Sequence, residues 1–337
     1  MTPADVIEGR ARWTTLVGDV RETLRTLPDA SVQCVVTSPP YWGLRDYGCE
    51  GQIGQEPTPA EYVATLRDLF RELRRVLREN GTAWLNLGDS YASDTKGSGG
   101  TGKSTPAGTA NDGNGQLFRA RRVQHSLKPK DLVGIPWRVA FALQDDGWWL
   151  RSDIVWAKPN PMPESVTDRP TRAHEFVFLL TKSERYLYDA DAIKEPASGR
   201  SSGARAADKS GAGAGFEIRS GFARAGNVEW HTRNARDVWT IASEPYDGAH
   251  FATMPPELAR RCVRAGSRRG DVVLDPFGGS GTTARVALEE GRRAILCELN
   301  PEYVELQRER LAPVDTDAAE PIKVQRADFG PLFGGGA

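Results

Sequence analysis

The sequence lacks most of what would mark a secreted, membrane-bound or metal-holding protein. No apolar run approaches the roughly 18 residues that suggest a membrane span, and the opening stretch MTPADVIEGRARW has no signal-peptide pattern. Cysteine is scarce. Cys34, Cys49, Cys262 and Cys297 are irregularly spaced with no C-x-x-C, which argues for buried or incidental thiols in a cytoplasmic protein rather than disulfides or a metal site. An excess of charge is missing too, since 44 basic residues nearly balance 45 acidic ones. That total does not announce a nucleic-acid binder, but binding a duplex requires a local positive surface, not a basic total. One such cluster is present: RARRVQHSLKPK (119–130) carries five basic residues and no acid. The 337 residues suffice for one large domain, or for a core domain and a smaller one.

Strand and helix patterns alternate along most of the chain, which predicts a parallel α/β sheet. TTLVGDV reads as a strand ending at Gly18-Asp19, RETLRTLPDA as a short helix, and SVQCVVTSPP as a strand. Thr58-Pro59-Ala60-Glu61 is a capping box with proline at the first helical position. Apolar residues from Tyr62 to Leu77 then recur at helical spacing, with Gly81 as the expected stop. TAWLNLGDSY, WWLRSDIVWAKPN, DVVLDPF and RRAILCELN read as further strands, and HEFVFLLTKSERYLYD as a hairpin. Two stretches break the alternation. Residues 92–118 are a Gly/Ser/Thr-rich loop of a kind that stays mobile, and from about 190 to 238 the composition turns to Gly, Ala, Ser and Arg, as in an inserted or partner-contacting region.

DVVLDPFGGSGTT is strand, glycine turn, helix. Gly278, Gly279 and Gly281 allow a ligand to approach bare backbone where the helix N-terminus points. The next strand ends in Glu298, placed to take both hydroxyls of a ribose. Gly279-x-Gly281-x-x-Ala284 also fits a dinucleotide fingerprint, so a nicotinamide enzyme is a competing reading. Against it, Glu298 comes earlier than the usual spacing of about 20 residues, and nothing else suggests hydride chemistry. Asp275 at the strand tip suits a ligand with a cationic amino-acid end, that is, a nucleoside without a pyrophosphate. GSGGTGKS (97–104) matches the phosphate-loop pattern, but no helix can follow it in TPAGTANDGNG, and DFG (328–330) has no accompanying kinase motif.

The stretch TSPPYW (37–42) directly follows the apolar run SVQCVV. Proline has no N–H to give a ladder, so the strand must end at Thr37 and the two prolines stiffen the turn after it. If the two ends of the chain are joined on paper, one continuous doubly wound sheet results. Asp19 then lies near Glu298, positioned to accept from an adenine amino group, and TSPPYW lies next door at the carboxyl ends of the strands, where such sheets bind ligands.

The chain resembles the β-class amino-methyltransferases of DNA, in which the catalytic motif precedes the S-adenosylmethionine (SAM) motif. TSPPYW resembles the first and DPFGGSGTT the second, while KPNPMPESVTDRPTRAHEFVFLLTKS (158–183) and HFATMPPEL (250–258) resemble flanking segments. The resemblance spans about 13–311 and implies a circularly permuted Rossmann-like, mostly parallel sheet of class I methyltransferase type with an inserted target-recognition region. It implies a catalytic half at 1–184, a target-recognition region at 185–240, a SAM-binding half at 241–312 and a flexible tail at 313–337. It implies catalysis by Ser38, Pro39, Pro40 and Tyr41. SAM would be held by Asp19, Thr37, His250, Phe251, Thr253, Asp275, Pro276, Phe277, Gly278, Gly279, Ser280, Gly281, Thr282, Thr283, Glu298 and Asn300. Double-stranded DNA would be the partner, touched by Trp42, Lys158 and Asn160 at the base or its backbone and by Arg121 and Arg122 at phosphates. Whether the protein dimerises or has a cognate restriction endonuclease stays open, and no membrane is involved.

Elementary chemistry agrees with the resemblance. The lone pair of an exocyclic amine is delocalised into the ring, so the amine is a poor nucleophile. Acceptors that bind both its hydrogens favour a more tetrahedral nitrogen, and Ser38 Oγ with the Pro39 carbonyl would be such acceptors. The base must leave the stack, and Tyr41 would stack on it, worth on the order of 1–3 kcal/mol. In the family, Ser before Pro-Pro-Tyr goes with N4 of cytosine more often than with N6 of adenine, so N4-cytosine is expected and N6-adenine is the alternative. Methylation at carbon 5 needs a thiolate nucleophile, and no cysteine here sits in the Pro-Cys context of such enzymes. A further reading is a DNA-binding module that keeps the fold without turnover, against which the intact motifs argue.

Overall fold

The computed structural model describes residues 1–44, 47–92, 109–111, 117–119, 127–197, 232–244 and 254–315. The chain divides into two compact units, Met1–Asp189 with Asp237–Ala337 and the insertion Ala190–Arg236. The strands in chain order are β1 (Trp13–Val17), β2 (Val32–Thr37), β3 (Leu77–Leu87), β4 (Thr109–Asn111), β5 (Leu117–Arg119), β6 (Trp149–Ala157), β7 (His174–Thr181), β8 (Glu195–Pro196), β9 (Thr232–Arg233), β10 (Val238–Thr240), β11 (Val272–Asp275) and β12 (Arg293–Glu298). The helices are α1 (Pro3–Ile7), α2 (Val20–Thr23), α3 (Pro59–Val76), α4 (Ile135–Asp145), α5 (Pro256–Gly266), α6 (Thr282–Glu289) and α7 (Pro301–Leu311). No helix among the described residues is long and apolar enough to cross a membrane.

The larger unit is built on an eight-stranded sheet of order β1-β12-β11-β2-β3-β7-β6-β10. Every pairing is parallel except those of β7, which runs against both β3 and β6. β1 and β12 come from opposite ends of the chain yet pair in register from Trp13↔Ala294 to Val17↔Glu298. The sheet obtained by joining the two ends is therefore the one observed. The central strands are buried on both faces, which is why β2 is an unbroken run, VQCVVT, with all six residues inaccessible.

α3 begins where its capping box predicts. The Thr58 hydroxyl accepts from the Glu61 amide, and the Glu61 carboxylate accepts from the Thr58 amide at 3.0 Å. Its buried stripe is Tyr62, Leu66, Leu69, Phe70, Leu73 and Val76. The helix stops at Val76, however, and β3 starts at once, so Gly81 is a strand residue and not the stop. A Cβ on Gly81 would lie 2.6 Å from the Leu77 side chain and 2.9 Å from the Gln33 carbonyl, so close packing explains this glycine. HEFVFLLTKSERYLYD is not a hairpin either. Only its first half is a strand, β7, and the hairpin is β6 with β7. The segment 92–118 holds β4 and the start of β5, which pair antiparallel, and its other residues from 93 onward lie outside the described ones. Within the insertion, β8 pairs antiparallel with β9, and Glu195 is ion-paired to Arg233 and Arg236 at 3.4 and 3.1 Å. Residues 198–231 lie outside the described ones.

Candidate active site

Because seven strands of the sheet share one direction, their carboxyl ends bring Gly18-Asp19, Glu298, Asp275 and Thr37-Ser38 to one edge. There they line a cleft open to solvent, with Asp275, Glu298 and the glycine turn on its wall and floor. The floor is the turn after β11. Gly279 has φ +49° and Gly281, which opens α6, φ +82°. A Cβ on Gly278 would lie 3.0 Å from Leu296 Cβ, so glycine lets the turn fold onto β12.

Two buried carboxylates face this floor. Asp275 accepts from Thr283 Oγ1 at 2.7 Å, Thr37 Oγ1 at 2.9 Å and the Phe277 amide at 3.0 Å. Burial outweighs these donors and pushes its carboxyl up to about 7. Among the described residues no cation pairs with Asp275, and a bound ammonium would supply the counter-charge of its ionised form. Glu298 accepts from the Gly279 amide at 2.7 Å and the Asn300 amide at 2.8 Å, and burial raises its carboxyl above the usual range. Asp19 sits beside Glu298, as the Gly18 amide donates to the Glu298 carbonyl at 2.9 Å. The Asp19 side chain caps α2 and is chelated by Arg21, whose hydrogen bonds hold its carboxyl below the usual range.

Thr37 and Thr283 spend their hydroxyls on Asp275 and so orient it. Ser280 accepts from Arg310 at 2.6 Å, and Asn300 caps α7. Pro276, Phe277 and Thr282 line the cleft, and the buried Thr282 hydroxyl has no hydrogen-bond partner among the described residues. Such an orphan is costly unless a ligand or water pairs with it. His250, Phe251 and Thr253 lie outside the described residues, although their neighbour Met254 lines the cleft.

Ser38 and Pro40 line the same cleft. Pro39 is buried, and its carbonyl accepts no hydrogen bond among the described residues, whereas the Pro40 carbonyl is held by Tyr62 Oη at 2.8 Å. Ser38 Oγ donates to Tyr41 Oη at 3.4 Å, and Tyr41 Oη donates to Glu175 Oε2 at 2.6 Å. Trp42 is a correction to the DNA-touching set. It is only 6% exposed and its indole N–H donates to the Glu56 carbonyl at 2.9 Å, which makes it a core residue. Lys158 is ion-paired to Glu175 and lies 4.4 Å over the Trp156 ring. Asn160 uses both ends of its amide on Ser243. Arg121 and Arg122 lie outside the described residues.

The structure adds residues that pattern reading missed. Gln307, fully buried on α7, donates to the Gly279 carbonyl at 2.8 Å and accepts from Thr15, clamping the glycine turn to β1. Tyr47, Cys49, Gln52 and Ile53 form a wall of the cleft, and Tyr303 lines it from α7. Cys34 and Cys297 have thiols pushed up to about 12 by burial, and burial also holds the Cys262 thiol well above its ordinary range, so none of these three supplies a thiolate.

A mostly parallel sheet with one reversed strand, a glycine turn between buried acids, and a Pro-Pro turn beside it define a class I SAM-dependent methyltransferase. A profile of N6- and N4-directed enzymes, described as DNA methylase, matches residues 32–309. The chain is 50% identical over 302 residues to the Type II methyltransferase M.XycI of Xanthomonas campestris pv. cyanopsidis, covering 88% of this chain and 87% of that one. It is 48% identical over 308 residues to the Type II methyltransferase M.Cfr9I of Citrobacter freundii, covering 90% and 89%. Among solved structures, the cytosine-N4-specific PvuII DNA methyltransferase matches with a TM-score of 0.60 at 20% identity over 89% of this chain and 86% of that one. A Thermus thermophilus protein, provisionally a DNA modification methylase and complexed with S-adenosyl-L-methionine, matches with a TM-score of 0.56 at 28% identity over 91% and 95%. The chain belongs to the N6/N4 DNA methylase family, and its cofactor is SAM.

Proposed function

We propose that the protein methylates N4 of a cytosine flipped out of duplex DNA at a specific site, as the modification half of a Type II restriction–modification pair. The observation that carries the choice of base is Ser38: at the strand tip facing the cleft stands a hydroxyl, not a carboxylate. The Type II relatives at 48–50% identity support the site-specific role and a cognate endonuclease. The insertion Ala190–Arg236 is our candidate for reading the sequence.

SAM supplies an electrophilic methyl group on a sulfonium. The Asp275 carboxylate is the counter-charge for its ammonium, Glu298 the acceptor for its ribose hydroxyls, and Asp19 the acceptor for its adenine amine. The residues from Pro276 to Thr283 form the turn on which it rests. Ser38 Oγ and the Pro39 carbonyl then accept the two hydrogens of the target amine and turn its lone pair towards the methyl. In the transfer the nitrogen–carbon bond would form as the sulfur–carbon bond breaks, the electron pair staying on sulfur and the surplus proton of the nitrogen passing to solvent. Alignment by this rigid turn accounts for part of the roughly 7–11 kcal/mol that well-oriented reactants gain.

Incubation with labelled SAM and mixed-sequence duplex DNA, then digestion and nucleoside mass spectrometry, is expected to yield N4-methylcytosine. Ser38→Ala should lower its rate of formation about tenfold or more, the cost of one lost hydrogen bond in a closed site. N6-methyladenine as the product would overturn the assignment of cytosine.

A further inference from the structure

A serine hydroxyl is an ambiguous partner for an amine. It serves as an acceptor only if its own proton points elsewhere, because an O–H turned towards the substrate would compete for the nitrogen lone pair that must attack. The described residues around Ser38 resolve that ambiguity.

Asn86, on β3, donates both amide hydrogens away from Tyr41, to Glu175 Oε2 at 3.0 Å and to the Phe176 carbonyl at 3.1 Å. Its Oδ1 therefore faces Tyr41 Oη, at 3.3 Å, as an acceptor. Glu175 Oε2 faces the same phenol at 2.6 Å, also an acceptor, while the other oxygen of Glu175 is ion-paired to Lys158. Tyr41 thus meets acceptors alone on that side and must donate its single proton to them. Burial, reinforced by the Glu175 charge, holds its phenol well above the ordinary range, so that proton stays in place. The Tyr41 oxygen then has only lone pairs to offer Ser38, and the Ser38 proton goes to it. Among the described residues, the Tyr41 oxygen at 3.4 Å is the acceptor that the Ser38 hydroxyl meets, a long contact that the approach of a substrate amine would tighten.

We infer that Glu175 is a positioning residue for methyl transfer: through Tyr41 it draws the Ser38 proton away from the substrate and leaves Ser38 Oγ as a pure acceptor for the exocyclic amine. The inference rests on Ser38 as the amine acceptor, under Proposed function. It also accounts for how a neutral hydroxyl can do work for which a carboxylate would be the obvious choice, because a hydrogen-bonded chain ending in a carboxylate polarises every link towards the charge. Lys158 and Asn86 hold the carboxylate in place and need not touch DNA to matter.

The test is single-turnover methyl transfer with excess enzyme, tritiated SAM and duplex DNA carrying the site found by the product assay, for Glu175→Gln, Tyr41→Phe and the double variant. Glutamine keeps the shape of Glu175 and removes its charge. Phenylalanine keeps the ring and removes the one oxygen that links Ser38 to Glu175. Each single variant is expected to lose roughly tenfold to a hundredfold in rate, the loss of a charge-assisted hydrogen bond, with dissociation constants for SAM and DNA within about twofold of wild type. Because the residues act in series, the double variant should be no slower than the slower single one. Wild-type rates in both single variants, losses that multiply in the double variant, or losses matched by weaker SAM or DNA binding would each overturn the inference. Should Glu175→Gln lower the melting temperature too far to assay, Tyr41→Phe decides alone. Ser38→Ala, run alongside, separates the two failures: full activity there removes the acceptor role itself, whereas a slow Ser38→Ala with fast Glu175→Gln and Tyr41→Phe removes only the chain.

Discussion

Gly88→Ala is expected to slow methyl transfer about a hundredfold while leaving SAM binding nearly unchanged. Gly88 follows the last residue of β3, and the Tyr41 ring lies directly on its backbone. A Cβ there would stand 2.6 Å from Tyr41 Cε2, 3.1 Å from Cδ2 and 3.3 Å from Cζ. Contacts under 3.0 Å are essentially never tolerated, so the ring must retreat by the better part of an ångström. Its hydroxyl is tied at 2.6 Å to Glu175, and the retreat would break that bond or drag β7 with it. Either way the Tyr41 hydroxyl moves off Ser38 and Glu175, and displacements of this size beside a reacting centre cost about two orders of magnitude. β2 separates β3 from β11 and β12 in the sheet, so calorimetric SAM affinity at the glycine turn, Asp275 and Glu298 serves as the internal control. Gly88 has no positive φ, so a strained backbone would not explain the result. Unchanged single-turnover kinetics in Gly88→Ala would show that the ring position is irrelevant to the chemistry.

The parts of this site that were legible in the sequence share a physical property: they are chemically stiff and local. Two prolines after a β-branched run can only end a strand, so Ser38 had to sit at a strand tip. GGSG between an apolar run and TTARVAL can only be a turn into a helix. The capping box at Thr58–Glu61 closes within four residues and formed as written. What escaped depends on contacts between distant residues that leave no local trace. Gln307 is one polar residue on a helix with many, and only burial against Gly279 and Thr15 distinguishes it. Tyr47 to Ile53 form a wall without periodicity, so nothing in their spacing announces it. Glu175 lies in a strand whose pattern is dominated by Phe176, Phe178 and Leu180, and its role appears only when Tyr41 is brought beside it. Misreadings had the same origin. Gly81 looked like a helix stop because glycine usually is one, yet its function is close packing against Leu77. Trp42 neighbours Tyr41 in sequence, but its indole is turned inward to the Glu56 carbonyl.

The second large effect concerns pH. Asp275 is buried, and that burial raises its carboxyl from 3.8 to about 7 in the ligand-free protein. A folded-state value above the unfolded one means that the native state holds the proton more tightly. The associated stability is fully present below pH 3.8 and is lost as pH rises through about 7. In the absence of SAM, the melting temperature should therefore carry a component that declines from mildly acidic to neutral pH. A ligand ammonium beside Asp275 reverses the balance, since an opposite charge favours the ionised carboxyl. SAM should thus bind the ionised form and release a proton wherever the free protein still carries one. The SAM-induced rise in melting temperature should be small near pH 5.5 and grow towards pH 8, with affinity falling close to tenfold per pH unit well below 7. Asp275→Asn should flatten both trends, and it should weaken SAM at pH 8 by tenfold or more, as loss of a charge-assisted hydrogen bond predicts. Titration calorimetry in two buffers of different ionisation enthalpy counts the released proton directly. If binding below pH 7 releases none, or if Asp275→Asn keeps the wild-type pH dependence, the ammonium is neutralised elsewhere and Asp275 serves only to anchor Thr37 and Thr283 at the tip of the sheet.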